Sequence, residues 1–370
     1  MCIYLFFEIL IISLLFLNYE NNKEKIFRIC VCITFIVFGF HNGDFEGDYP
    51  EYLLMFEGKS SGYGNLNSPE TYELEWPYFY MCKLLNSIGD SPFVYIIGVY
   101  VIFFTPILML IKRYSGNYAV SFLLLFVFYQ ADLHVYLVNI HRQLVANTLI
   151  LFAIMIFLEN NRSEIYFNKP KIIFSLILLV IALFSHSSSY FIVPTIILLT
   201  FFKFDNKKIV VIATWLSLFV GMVLGKLFYN YMGNSMMLLG NVEEIQRTTH
   251  YMVNEVYASP SASLYFMLPK TLLTFFFIYY SSKEELNTIF VRCLILSTII
   301  TNVFFCVPLI SRSMFTLILL GIIGGIPMKV NYSANARMII GMLLLFHIFL
   351  VYRSYNVQDF RLLPFHFIWE

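Results

Sequence analysis

Long apolar stretches separated by short polar segments run through the whole chain. A membrane-spanning helix needs about 20 apolar residues, and apolar stretches of this kind recur from residue 2 to residue 352. A transmembrane β-barrel would show shorter segments of alternating hydrophobicity. The pattern therefore predicts an all-α, polytopic integral membrane protein that forms one transmembrane domain over residues 1–370. We predict about 12 transmembrane helices, over residues 2–17, 26–40, 93–111, 118–131, 143–158, 171–185, 189–203, 209–226, 263–281, 288–306, 313–328 and 338–352.

Two of the apolar stretches are too long for a single span. Residues 172–202 would form a helix about 46 Å long, whereas the hydrocarbon core is about 30 Å thick. We therefore predict a hairpin that turns at residues 186–189, in the segment SHSSS. Residues 288–328 are divided in the same way, with a break near Pro308 and Arg312.

With these turns in place, most basic residues fall on one side of the membrane. Lysine and arginine favour the cytoplasmic side, so we assign that side to Lys23, Lys25, Lys112, Arg113, Arg162, Lys169, Lys171, Lys203, Lys207, Lys208, Lys283, Lys329 and Arg337. The extracytoplasmic side then receives both termini and two long loops, about residues 41–92 and 227–262. Arg142, His186 and Arg312 fall on the same extracytoplasmic side.

Composition excludes several classes of protein and of site. A mean hydropathy of +0.74 with 13% charged residues excludes a soluble globular domain. The net charge is only +1, so no nucleic-acid partner is predicted. The six cysteines form no CxxC pair, and the histidines near Arg142 lack a third ligand at metal-binding spacing. We predict no metal site and no cofactor.

Three polar breaks in the apolar pattern carry the candidate chemistry. Arg142, His186 and Arg312 lie beside apolar segments, where a charged side chain is unfavourable. The free-energy cost of inserting an arginine at the centre of a membrane helix is about 2.5–3.5 kcal/mol. Arg142, followed by Gln143, and Arg312 each stand at an outer helix start, where a planar guanidinium and the helix field suit a diphosphate. The alternative for each arginine is a side chain that reaches up to the lipid headgroups. His186 could act as a general base or as a hydrogen-bond donor to a substrate. The alternative is a purely structural histidine whose hydrogen bonds close the hairpin.

The two outer loops add carboxylates and aromatic rings. The first loop carries Asp48, Tyr49, Tyr52 and Glu75. Carboxylates accept hydrogen bonds from sugar hydroxyls, and aromatic rings cover the apolar face of a sugar. The alternative is a solvated loop with interfacial aromatic residues. The second loop has an amphipathic middle that carries Arg247, and it would lie on the membrane surface or cap a cavity.

Five segments of the chain, in order, resemble the EpsG-like polysaccharide polymerases. They are GDYPEYLLMF, LEWPYFYMCKLLNSIG, NIHRQLVANTLILFAI, FSHSSSYFIVP and ISRSMF, and together they cover about residues 40–320. Each segment alone is short, but their order and their shared predicted face make the match fairly specific. EpsG-like proteins are in turn similar to Wzy-type polymerases of O-antigen and capsule.

The resemblance implies a GT-C-like, all-helical glycosyltransferase of the bacterial inner membrane with a periplasmic active face. Its donor is expected to be a growing glycan on undecaprenyl diphosphate, and its acceptor one lipid-linked repeat unit. The product would be O-antigen, capsule or exopolysaccharide, and a chain-length regulator protein is a further expected partner. Bound lipid is expected around the helices.

The candidate residues named above fit that reaction, so a role can be assigned to each of them. We expect Arg142, Arg312 and Gln143 to bind the diphosphate. The base would be His186 or Asp48. The glycan would contact Tyr49, Tyr52, Glu75 and Arg247.

Three other functions remain as alternatives. An O-antigen ligase would share the donor and the mechanism but use a lipid A core as acceptor. A flippase or transporter of lipid-linked sugar would place charged residues near the midplane and show repeated halves, and no repeat is visible. A membrane O-acyltransferase would leave the two arginines less well explained.

Overall fold

A computed structural model describes residues 9–15, 22–39, 49–59, 76–127, 141–162, 169–186, 188–201, 203–204, 206–238, 260–304, 313–326 and 333–356. All regular secondary structure in these ranges is helical, which confirms the all-α prediction. The helices are α1 (Lys23–Gly39), α2 (Tyr49–Phe56), α3 (Trp76–Ile88), α4 (Pro92–Tyr114), α5 (Tyr118–Val127), α6 (His141–Arg162), α7 (Lys169–Leu183), α8 (Ser189–Phe201), α9 (Lys207–Leu238), α10 (Pro260–Tyr280), α11 (Lys283–Leu286), α12 (Ile289–Val303), α13 (Phe315–Gly325) and α14 (Ala334–Asn356). Residues 9–15 form a further helical segment.

Three of the described helices are long and apolar enough to cross a membrane. They contain the stretches Pro92–Tyr114, His141–Leu158 and Lys207–Leu224. Shorter apolar helices cover Ser189–Phe201, Ile289–Val303, Phe315–Gly325 and Ala334–Phe346. The helical membrane architecture is therefore supported, whereas the number of 12 crossings and the GT-C-like arrangement stay predictions.

The first predicted break in the long apolar stretches is confirmed. Helix α7 ends at Leu183 and α8 begins at Ser189, and the Ser189 amide donates to the carbonyl of His186 at 3.0 Å across the turn. Helix α7 then runs antiparallel to α6, to which it is tied by a hydrogen bond of 2.8 Å from Ser175 Oγ to the Ala153 carbonyl. Helix α12 ends at Val303 and α13 begins at Phe315, and the second predicted break, near Pro308 and Arg312, lies outside the described residues.

The outer loops hold more helix than the sequence analysis predicted. Helix α9 continues through residues 227–238, which were assigned to the second loop, and α10 begins at Pro260. A helix that is already formed gains one backbone hydrogen bond for each added residue, so the polar residues after 226 did not end it. The first loop contains α2 and α3. One face of α3 is buried, and the other exposes an apolar stripe of Trp76, Tyr80, Leu84 and Ile88, as expected of an interfacial helix.

Side-chain contacts at one end of the bundle involve lysines from two helices. Lys112 Nζ lies 2.9 Å from Glu24 Oε1, which joins the end of α4 to the start of α1. Lys207 Nζ donates to two carbonyl groups at the end of α10. The ring centroids of Tyr114 and Phe290 lie 5.1 Å apart, and this contact joins the end of α4 to the start of α12. We call this the basic end, and the opposite end, where α6, α8 and α13 start, the site end.

Close helix packing holds the second half of the bundle together. A Cβ atom on Gly221 of α9 would lie 1.8 Å from the carbonyl oxygen of Asn302 on α12, so the two backbones touch there as small residues allow in membranes. The side-chain amide of Asn302 donates to Ser217 Oγ at 3.1 Å and to Thr271 Oγ1 at 2.9 Å. These bonds connect α9, α10 and α12.

Candidate functional site

A buried group of aromatic rings surrounds the first residue of α6. The ring of Tyr52 stacks on the imidazole of His141, with centroids 5.0 Å apart and planes 19° apart. The Tyr95 hydroxyl lies 2.5 Å from His141 Nδ1, and the Tyr78 hydroxyl lies 2.6 Å from that of Tyr95. All four side chains are at most 2% exposed. We call these four residues the tyrosine–histidine cluster.

The cluster joins three of the five motif segments. Tyr52 lies on α2, Tyr78 on α3 and His141 on α6, while Tyr95 on α4 connects the last two through hydrogen bonds. Burial raises the pKa of Tyr78 well above its ordinary value, so its hydroxyl keeps its proton. The start of α6 is therefore held by α2, α3 and α4 at the site end.

Arg142 and Gln143 follow His141 in the first turn of α6. The Arg142 side chain is half-buried, and that of Gln143 is only 2% exposed. The first turn of a helix presents unsatisfied N–H groups and the positive end of the helix dipole. An arginine in this turn can therefore act with the backbone on one anion.

A hydrogen bond joins α6 and α13 near their starts. Thr316 Oγ1 donates to Asn147 Oδ1 at 2.5 Å, and both residues are fully buried. Asn147 lies four residues after Gln143, and Thr316 lies four residues after Arg312. Asn147 is the seventh residue of α6 and Thr316 is the second residue of α13, so the bond joins the second turn of α6 to the first turn of α13. Arg312 itself lies outside the described residues.

The bond between Asn147 and Thr316 should contribute measurably to stability. Thr316→Val leaves the buried Asn147 carboxamide without this partner, and we expect it to lower the free energy of unfolding by about 1–2 kcal/mol. Asn147→Leu should cost less, because the threonine hydroxyl can rotate to a carbonyl of its own helix. In the double variant the two losses should not add, and denaturant titrations of all four proteins give the coupling energy. Strict additivity would contradict a bond between these side chains.

His186 stands at the tip of the α7–α8 hairpin, and its hydrogen bonds indicate its tautomer. Its Nδ1 accepts from the Ser188 amide at 3.2 Å and lies 2.9 Å from Ser188 Oγ. A backbone N–H can only donate, so Nδ1 carries the lone pair and the neutral ring carries its proton on Nε2. This geometry favours His186 as a hydrogen-bond donor rather than as a base.

Helix packing brings this tip to the site end. Helix α7 is antiparallel to α6, so its last residues lie level with the start of α6. Helix α8 begins at the tip and packs against α6 and α13. The hairpin therefore shares one end of the bundle with the starts of α6 and α13.

The other predicted site residues are only partly described. Asp48, Glu75, Arg247 and Arg312 lie outside the described residues, as does the side chain of Tyr49. Tyr52 is described but only 1% exposed, so in this conformation its ring packs on His141 and offers no surface to a glycan.

Five residues of the site end were not assigned there by the sequence analysis: Tyr78, Tyr95, His141, Asn147 and Thr316. Among the described residues no group of three His, Cys, Asp or Glu side chains gathers as a ligand set.

Comparison with known proteins gives one match. No curated protein and no solved structure matches the chain significantly. The model of the EpsG family matches residues 25–367, a range that contains all five motif segments and every helix from α2 to α14. Because the match covers nearly the whole chain, the protein belongs to the EpsG family and is a membrane protein of polysaccharide biosynthesis related to glycosyltransferase-like polymerases.

Proposed function

We propose that this chain polymerises oligosaccharide repeat units carried on undecaprenyl diphosphate, in the manner of Wzy-type enzymes. The growing glycan on its lipid diphosphate is the donor, and one lipid-linked repeat unit is the acceptor. The reaction takes place at the periplasmic face of the bacterial inner membrane and builds O-antigen, capsule or exopolysaccharide. A chain-length regulator protein is the additional partner that this activity calls for.

The observation that carries the proposal is the Asn147–Thr316 bond. It joins α6 and α13 near their starts. Arg142 lies in the first turn of α6, and Arg312 precedes α13 by three residues in the sequence, so we expect both guanidinium groups near this junction. Two guanidinium groups and two positive helix ends around one position suit a diphosphate, because each arginine fork can bind two of its oxygens.

In the proposed transfer a hydroxyl oxygen of the acceptor sugar attacks the anomeric carbon of the donor glycan. The new glycosidic C–O bond forms while the bond from that carbon to the diphosphate oxygen breaks, and undecaprenyl diphosphate leaves with the bonding electrons. A base takes the proton of the attacking hydroxyl. Arg142 and Arg312 bind the departing diphosphate more tightly as its charge grows, which lowers the barrier rather than only binding the substrate.

The tautomer of His186 favours different roles for the two candidate bases, His186 and Asp48. With its proton on Nε2, His186 would donate a hydrogen bond to a diphosphate or sugar oxygen. Asp48, which directly precedes α2, would then accept the proton of the acceptor hydroxyl. Gln143 would add a neutral donor to the diphosphate, and Tyr49, Glu75 and Arg247 would contact the glycan.

The charge distribution supports the orientation that the proposal needs. Described lysines and arginines gather at the basic end, and positive charge favours the cytoplasmic side. The site end would then face the periplasm, where the repeat units are joined.

Reconstitution of the purified protein in vesicles with lipid-linked repeat units tests the proposal. We expect a ladder of glycans with free undecaprenyl diphosphate as co-product, and the ladder should persist in chelator because arginines neutralise the diphosphate. A single transfer that requires a lipid A core would identify a ligase. Movement of intact lipid-linked sugar across the bilayer without any product would identify a flippase. Activity that stops in chelator and returns only with added metal would contradict the metal-free mechanism.

A further inference from the structure

The tyrosine–histidine cluster surrounds the residue that precedes Arg142, and none of its members is needed for the chemistry above. We propose that the cluster is a positioning device, in which Tyr95 and Tyr52 fix the ring of His141 and thereby the location of the Arg142 guanidinium. This inference rests on the proposed function, because it assigns a purpose to the placement of a diphosphate-binding arginine.

Two independent contacts fix the His141 ring. Stacking on Tyr52, at 5.0 Å with planes 19° apart, restricts the tilt of the imidazole. The hydrogen bond between the Tyr95 hydroxyl and Nδ1, at 2.5 Å, restricts its rotation within the plane. Together the two contacts leave His141, at 2% exposure, with one orientation. Arg142 follows His141 directly in the same helix, and consecutive Cα atoms are about 3.8 Å apart, so fixing His141 also restricts where the backbone of Arg142 can lie.

The hydroxyl groups of the cluster do more than fill space. The rings alone already make packing contacts: the ring centroids of Tyr95 and Phe56 lie 5.1 Å apart, and those of Tyr78 and Tyr52 lie 5.6 Å apart. Phenylalanine at either position would keep these ring contacts. A buried hydroxyl costs free energy unless it is bonded. Here the Tyr78 and Tyr95 hydroxyls form a chain that ends on the histidine, so they specify the orientation of His141.

Placement matters for an electrostatic catalyst. A displacement of about 1 Å in a catalytic group can cost on the order of 10²-fold in rate. The cluster is built on α2, α3 and α4, which precede α6 in the sequence, so Arg142 is held by elements outside its own helix. A helix start held only by its own first turn would fray.

Removal of single hydroxyls tests the inference without changing the packing. Tyr95→Phe should lower kcat about tenfold, the net worth of about one hydrogen bond, with little change in KM. Tyr78→Phe leaves the bond to His141 in place and should lower kcat by only about threefold. The matched control is Thr274→Val, which removes a buried hydroxyl bonded to Thr298 at 2.7 Å in another part of the bundle and should leave kcat unchanged.

A binding measurement separates failure of this inference from failure of the proposed function. Thermal unfolding is followed with added undecaprenyl diphosphate, which should raise the Tm of the wild type and of Thr274→Val equally. Tyr95→Phe should require about tenfold more lipid for the same shift, because free undecaprenyl diphosphate resembles the departing group, whose binding governs kcat, rather than the intact donor. If the lipid does not stabilise the wild type, the proposed function is contradicted. If it stabilises wild type and Tyr95→Phe alike and kcat is also the same, only the positioning role is overturned. Should Tyr95→Phe not fold, the same two readouts on Tyr78→Phe decide, with an unchanged kcat and lipid response counting against the role.

Discussion

Arg142→Ala is expected to lower the rate of polymerisation by about 10²–10³-fold, the loss typical when one donor to the developing charge is removed. The structure places this residue in the first turn of α6, beside the buried Gln143 and five residues before Asn147, which accepts a hydrogen bond from Thr316 of α13. Its fork would bind the leaving diphosphate most strongly as the glycosidic bond breaks, so kcat should fall more than KM rises. The measurement is initial-rate kinetics in vesicles with lipid-linked repeat units.

Two companion variants make this result specific. Arg142→Lys keeps the charge but loses the two-pronged geometry, so we expect an intermediate rate. Arg28→Ala removes an exposed arginine from the basic end, where it pairs with Glu24 at 3.0 Å, and the rate should not change. A normal rate and normal chain length with Arg142→Ala would remove this residue from the site.

Asp48→Asn is expected to reduce the rate by about 10²–10⁴-fold, the usual contribution of a general base. Asp48 directly precedes α2, a place where aspartate often caps a helix. Asparagine caps a helix about as well as aspartate, so this substitution removes the proton acceptor without removing a cap. Rates measured beside thermal unfolding curves distinguish the two effects.

His186 provides the contrast to Asp48. Because its Nδ1 accepts from the Ser188 amide, we expect His186→Ala to cost about tenfold, the loss of one hydrogen bond, and His186→Gln to restore part of the rate as a neutral donor. A loss with His186→Ala larger than that with Asp48→Asn, not recovered by glutamine, would exchange the two roles.

The sequence was sufficient for the helices but less so for their ends. The length of residues 172–202 and the charges around them required a turn, and α7 and α8 are divided where that argument placed the break. The continuation of α9 to Leu238 was missed because polar residues tolerated within a helix look the same in sequence as residues of a loop. Within the part of the chain that the structure describes, three helices are long and apolar enough to count as spans, so the number of 12 crossings stays a prediction.

The site shows a similar division between local and long-range information. Arg142 and His186 stood out because a polar residue in an apolar context is a local signal. The partners that position them are set by tertiary contacts: 46 residues separate Tyr95 from His141, and 169 separate Asn147 from Thr316. A buried tyrosine in a motif has the same sequence signal as one that contacts sugar, which is why Tyr52 was assigned to the glycan.

The central claim is that the starts of α6 and α13 form one binding site for a lipid diphosphate. Photo-crosslinking with an undecaprenyl diphosphate analogue that carries its reactive group beside the phosphates, followed by peptide mass spectrometry, tests this claim directly. We predict that the label is found on peptides containing residues 141–147 and 312–316, and that unlabelled undecaprenyl diphosphate competes it away. Labelling confined to the basic end, around Lys112 and Lys207, or labelling insensitive to the competitor, would contradict the account.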